Sequence, residues 1–146
     1  MNTRFANGLA AVGVVVGLTV PASANAPDGR YTTANGTVYD TRTKLTWQQA
    51  VPTTAMWGNA KTYCSDLSLS GTGWRLPTVK ELQTIVDQSR TNPSIDPNAF
   101  PSTGPEGFWS SSPCAGLPGS AWIVSFDLGK SACKDGGYNF WLRCVR

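Results

Sequence analysis

Trp74-Arg75-Leu76-Pro77-Thr78-Val79-Lys80-Glu81-Leu82 reads as a short buried strand running straight into a helix. Trp74 and Leu76 are spaced to share one strand face. Pro77 has no N–H to donate and blocks further pairing. Thr78 is then placed as the N-cap, with Glu81 three residues on as its reciprocal partner in a Thr-x-x-Glu capping box. Val79, Leu82, Ile85 and Val86 follow at helical spacing, and Asn92-Pro93 stops the helix. Such a joint fixes the angle between a sheet and the helix packed on it. Trp74, Arg75, Leu76, Pro77, Thr78 and Glu81 are therefore read as structural, with a substrate contact from Arg75 or Glu81 as the alternative.

The chain opens differently. Arg4 is the only charge before an apolar run from Leu9 to Val20, and Pro21-Ala22-Ser23-Ala24 closes that run with small residues. This is the pattern of a secretory signal over residues 1–24, cut after Ala24 or after Ala26, with an uncleaved anchor as the alternative. No cysteine follows the run, which argues against lipid attachment there. Residues 25–37 read as a leader and 38–146 as one domain of a size that buries roughly two-thirds of its unfolded surface. No later apolar stretch is long enough to cross a bilayer, so the expected location is periplasmic, extracellular or on the cell surface. The net charge is +3 for the whole chain and +2 without Arg4, and the basic residues are scattered. That balance argues against nucleic acid as a partner. It is compatible with weak attraction to sulfated or carboxylated polymers.

Cys64, Cys114, Cys133 and Cys144 are even in number in a small exported domain, which points to two disulfides. A four-cysteine zinc site would show close Cys-x-x-Cys pairs, and there are none. Spacing leaves all three pairings open.

Taken in order, Tyr31 to Gln48 reads as a small meander of strands, with Asn35-Gly36 as a two-residue hairpin turn. Pro52-Thr53-Thr54 opens a helix whose inward stripe is Trp57, Ala60, Cys64 and Leu67, while Lys61, Ser65 and Asp66 face away. Ser89 to Gly107 is a long irregular stretch tacked down by Ile95 and Phe100; loops of this length in a compact domain are usually functional or mobile. The last forty residues read as strands over 108–112, 121–126, 131–133 and 139–146. In the closing strand Phe140, Leu142 and Cys144 take one face, and Trp141, Arg143 and Val145 the other. Trp47, Trp57, Trp74 and Trp122 lie on apolar faces and are expected in the core, with Trp109 and Trp141 unassigned. Strands, two helices, then strands make a single α+β domain.

Several of these segments resemble a known family. Trp57-Gly58-Asn59-Ala60, Tyr63-Cys64, Gly73-Trp74-Arg75-Leu76-Pro77-Thr78, Glu81-Leu82, Phe108-Trp109-Ser110-Ser111 and Arg143-Cys144-Val145-Arg146 stand in the order seen in the bacterial DUF1566 family. That family is also described as the C-terminal domain of the Legionella collagen-like adhesin, and the likeness runs from about Val38 to Arg146. Relatives carry C-type-lectin-like folds, so the resemblance implies two helices packed on a mainly antiparallel sheet with long loops. It also implies nested bridges, Cys64 to Cys144 and Cys114 to Cys133. The family's adhesin example is trimeric, but this chain has no collagen-like repeat.

Histidine is absent, which removes His-based triads, His acid–base work and His metal sites. Acidic residues are scattered with no pair nominated for glycosidase work, and no phosphate-binding Gly-rich loop is present. No cofactor, metal site or catalytic residue is therefore nominated, and a binding role is preferred to an enzyme. The resemblance implies recognition through the loop face, here 89–107, 113–121 and the turns near Lys130 and Gly136. The Glu-Pro-Asn and Gln-Pro-Asp motifs of calcium-dependent sugar binding are absent, and the adhesin relative recognises sulfated glycans. The expected mode is thus charge-based and metal-free: Lys130, Lys134 and Arg143 clamp a sulfate or carboxylate while Tyr138 or Trp141 stacks on a sugar face. The expected partner is a sulfated or acidic glycan or a surface protein, with an envelope interaction or structural module as the alternative.

Overall fold

The computed structural model describes residues 29–146, so the signal expectation for residues 1–24 lies outside the described residues. A three-stranded antiparallel meander comes first: β1 Tyr31–Ala34, β2 Thr37–Asp40 and β3 Thr46–Gln48. Asn35 and Gly36 both take positive φ at the first turn, as a tight two-residue hairpin requires. β1 lies inside the span 25–37 taken above as leader, and Arg30 beside it is also tied in. Its Nε and Nη2 donate to the Asp40 carboxylate at 3.2 and 2.8 Å, and Nη2 also donates to Thr84 O at 2.7 Å.

The second sheet has five strands in the order β4-β8-β5-β6-β7: β4 Thr54–Ala55, β5 Gly107–Pro113, β6 Ser120–Ser125, β7 Lys130–Asp135 and β8 Phe140–Trp141. Its pairings are antiparallel except β5 with β8, which run parallel, so the sheet is mixed. Helix α1, Trp57–Asp66, buries Ala60 and Cys64, and helix α2, Val79–Thr84, buries Leu82. α1 starts later than Pro52-Thr53-Thr54 implied, because Thr54 and Ala55 pair with Trp141 and Phe140 instead. α2 ends well before Asn92-Pro93: Ile85 already caps it, and Asp87 N turns away to donate to Ser94 O at 2.9 Å.

Two apolar clusters lie on opposite faces of the large sheet. Neighbouring residues alternate between them: Phe108 and Trp109, Val124 and Ile123, Val145 and Cys144. One cluster packs under α2, the meander and the long loop, through Leu82, Ile85, Trp47 and Phe100. The other packs under α1 and the Trp74 joint, through Ala60, Cys64, Trp74 and Leu76. The central strands are thus buried on both sides. Trp47, Trp74 and Trp109 are core residues, whereas Trp57, Trp122 and Trp141 are half-buried. Among the described residues no helix is long and apolar enough to cross a membrane.

The closing segment ties these layers together. Val145 bridges both Trp47 and Arg75, and Arg75 and Val145 exchange both backbone hydrogen bonds at 2.9 Å. The disulfides are Cys64–Cys144 and Cys114–Cys133, as the resemblance implied, and both suit an exported chain. They close sequence separations of 80 and 19 residues. On loop entropy the long bridge is worth about 4.5 kcal/mol and the short one about 3. Cys64→Ala with Cys144→Ala is therefore expected to cost more stability than Cys114→Ala with Cys133→Ala, read as the larger drop in urea midpoint.

Candidate functional site

The joint at Trp74 is built as its residue types demand. Thr78 Oγ1 accepts from Glu81 N at 3.2 Å, and the Glu81 carboxylate accepts from Thr78 N at 2.8 Å. Arg75 adds a two-pronged contact to the same carboxylate at 2.8 and 2.6 Å. The Arg75 guanidinium, with the cap, holds the Glu81 carboxyl down at about 2. Glu81 is fully engaged in holding the helix start, which favours the structural reading over a substrate contact.

The five residues expected to bind ligand do not form one clamp. Lys130 and Lys134 are both exposed on β7, the edge strand, and share a face because they are four residues apart. That spacing separates them by about 13 Å along the strand. Lys130 pairs with Ser125 and Lys134 with Ala121, so each marks a different end of the β6–β7 ladder. Trp141 lies three strands away in the sheet, about 14 Å across, and packs against the cluster under α2. The lysines share their face with Ala132, which packs against the other cluster. Trp141 is thus on the opposite side of the sheet from them.

Arg143 requires the largest correction. It is 0% exposed, with Nη2 donating to Thr103 Oγ1 at 2.7 Å and its guanidinium 4.6 Å from the Phe100 ring centre. Burial pushes its pKa down to about 9. Strand alternation placed it correctly on the face opposite Leu142, but that face is covered by the long loop rather than by solvent.

The loop face is likewise divided. The 89–107 segment is fastened to the Lys130 end, where Asn92 N donates to Asp127 O at 2.9 Å and Phe126 N to Glu106 O at 3.2 Å. The 113–119 loop and the turn at Gly136 form the other end. Gly136 N donates to Gly119 O at 2.9 Å, and Gly136 O accepts from Trp57 N at 3.0 Å. A Cβ on Gly136 would stand 2.6 Å from Gly119 O, so only glycine lets these three segments meet.

That meeting assembles the best candidate face. Tyr138 is 65% exposed, its N donating to Asp135 O at 3.2 Å just beyond Lys134. Met56 and Leu117 are also exposed on the segments that converge on Gly136. Trp57 is held by Nε1 donating to Ser110 O at 2.8 Å, and Lys61 Nζ lies 3.8 Å from the Trp57 ring centre. Trp57, Lys61, Met56 and Leu117 were not nominated from the sequence, which placed Trp57 in the core. The available signal was the i, i+4 spacing of Trp57 and Lys61 on one helix. A separate shallow depression of about 470 Å³ on the outer side of α1 is lined by Asn59, Thr62, Tyr63, Asp66, Leu67 and Ser68. Its single charge, Asp66, disfavours an anionic ligand. Among the described residues no group of three or more His, Cys, Asp or Glu could hold a metal ion.

The chain belongs to the Lcl C-terminal domain family, whose model matches residues 36–146. No curated protein matches it.

The depressed Glu81 carboxyl sets a pH test. A carboxylate with lowered pKa stabilises the fold above its ordinary value near 4.5, and the contribution is lost as pH falls toward 2. Glu81→Gln is expected to cost about 1–2 kcal/mol near neutral pH, a figure kept low because Arg75 is half in solvent. The gap between variant and parent should narrow as pH falls from about 4.5 and close only as pH passes below about 2, measured by urea unfolding across that range.

Proposed function

We propose that this is an exported, non-catalytic binding domain of C-type-lectin-like arrangement that recognises polyanionic glycans without a metal. Membership of the Lcl C-terminal domain family supports an adhesin-associated role. The observation that carries the reading is the end of the fold around Gly136. There Lys134 and the Lys61–Trp57 pair accompany the exposed Tyr138 ring. Ammonium groups answer sulfate or carboxylate as point charges, and aromatic rings offer flat apolar faces to the C–H side of a sugar. Lys130, at the far end of the same strand, extends the charge along the edge and would meet a later unit of a polymer rather than the same anion. The long-range Cys64–Cys144 bridge and the loop-bearing sheet are consistent with the proposed arrangement.

Exposed Met56 and Leu117 on the segments that converge on Gly136 favour a second reading, a protein-interaction module of the cell envelope or a surface-receptor contact. The two readings part on salt. Retention on immobilised heparin is expected to weaken steeply with ionic strength, and Lys61→Ala with Lys134→Ala should shift elution to lower salt by more than Lys130→Ala. Elution with a neutral control protein would reject glycan recognition. Retention on a protein partner that survives those lysine changes and falls with Leu117→Ser would favour the second reading.

A further inference from the structure

Arg143 sits where the strand pattern reserves an apolar side chain: its face neighbours are Trp141 and Val145, both packed into the cluster under α2. It is fully buried, and Nε and Nη1 have no hydrogen-bond partner among the described residues. Among the described residues its one side-chain hydrogen bond goes to the neutral Thr103 hydroxyl, itself engaged in donating to Phe100 O at 2.9 Å. Four other arginines show what this one lacks. Arg30 pairs with Asp40, Arg75 with Glu81 and Arg90 with Asp87, and Arg146 donates to the Ser70 and Thr72 carbonyls. Buried charges are ordinarily paired, and an apolar residue at such a position would cost the fold less. The Phe100 and Phe108 rings offset part of that cost, but among the described residues no carboxylate pairs with the cation and two donors stay unsatisfied, a break of the local rule that marks a functional place.

The surroundings define the ligand. The guanidinium faces the Phe100 ring at 4.6 Å and lies 5.8 Å from that of Phe108, so the walls are aromatic and the donors are N–H groups. The cover is the stretch from Pro97 to Gly104, held by burial of Ala99 and Phe100, by Gln49 Nε2 donating to Ala99 O at 3.2 Å, and by the Arg143–Thr103 bond itself. We infer that Arg143 is the centre of an internal anion site beneath residues 97–104, taking a small carboxylate when that stretch lifts. Lifting the stretch removes Thr103 and frees Nη2, so that the Nε and Nη2 edge of the guanidinium can meet both oxygens of a planar carboxylate at once, while Phe108 on β5 stays as an apolar wall. Lifting costs the burial of Phe100 and the Arg143–Thr103 bond, and pairing of the cation by the ligand offsets that cost; binding favours the lifted form by the difference.

This site is distinct from the surface around Gly136 and does not rest on the glycan reading, so heparin retention and the following test can fail separately. The full chain labelled with nitrogen-15 in arginine is titrated at constant ionic strength with formate, and in a second arm with glucuronate, following the Nε–H signals by NMR. The expected result is a saturable displacement of the Arg143 signal with those of Arg30 and Arg75 unmoved. A response to formate alone supports a site for free small acids, and a response to both supports one that also takes a sugar acid. No displacement in either arm, or a linear drift of all arginine signals together, overturns the proposal. Arg143→Lys identifies the signal by its loss; if that variant does not fold, slow hydrogen exchange of the buried Nε–H identifies it in the parent.

Discussion

The closing residues from Leu142 to Arg146 are the constraint on which the rest of the structure depends. Cys144 is bonded to α1, Val145 is laddered to Arg75, and the backbone of Thr46 exchanges hydrogen bonds with Arg146 at 2.8 and 2.9 Å. The meander, the first helix and the joint that starts the second helix are thus all fastened to one short segment at the far end of the chain. None of the three has enough buried surface to stand alone, since two- and three-stranded pieces are marginal without a packed face. The Cys64–Cys144 bridge converts this dependence into a covalent one. It restricts the unfolded chain most strongly where the ordered contacts are most distant in sequence.

Local chemistry was legible wherever a residue type admits few conformations. Asn35-Gly36 fixed a hairpin, Thr78 and Glu81 fixed a helix start, and the stripe Ala60, Cys64 pointed the first helix inward. Thr54-Ala55 escaped notice because a two-residue strand has no period to detect, and its partner, β8, is more than eighty residues away in sequence. The end of α2 was misread for a related reason. Val86 continues the apolar spacing, yet its N donates to Gln83 O, three residues back, in a tighter 3₁₀-type turn at 3.2 Å, so the chain has already left the α-helix. Spacing reports which side chains are buried, and here the same side chains are buried whether the backbone is helical or not.

The candidate face was less legible, because alternation along a strand separates two faces without saying what covers each. Arg143 and Trp141 were placed on the correct side of the closing strand, and that side is occupied by Phe100 and its loop. Lys130, Lys134 and Arg143 are expected from the strand layout to lie near one another, but strand rise sets the two lysines at opposite ends of the ladder. The grouping of Trp57, Leu117 and Tyr138 depends on the contact of Gly136 with Gly119 and Trp57. Nothing in the local sequence around those residues encodes that meeting; it follows from the order of strands in the sheet.

The loop carrying Leu117 is fastened at both ends: Cys114 is cross-linked to Cys133 on the edge strand, and Gly119 O accepts from Gly136 N. Leu117 N also donates to Cys114 O at 3.3 Å, closing a turn inside the fastening. A partner that lands on this loop meets a shape already set before contact, so little ordering entropy is charged against the encounter. Reducing that one cross-link would release one end of this loop from the edge strand and withdraw about 3 kcal/mol from the fold, so the shape of this surface and the stability of the sheet beneath it are set by the same bond.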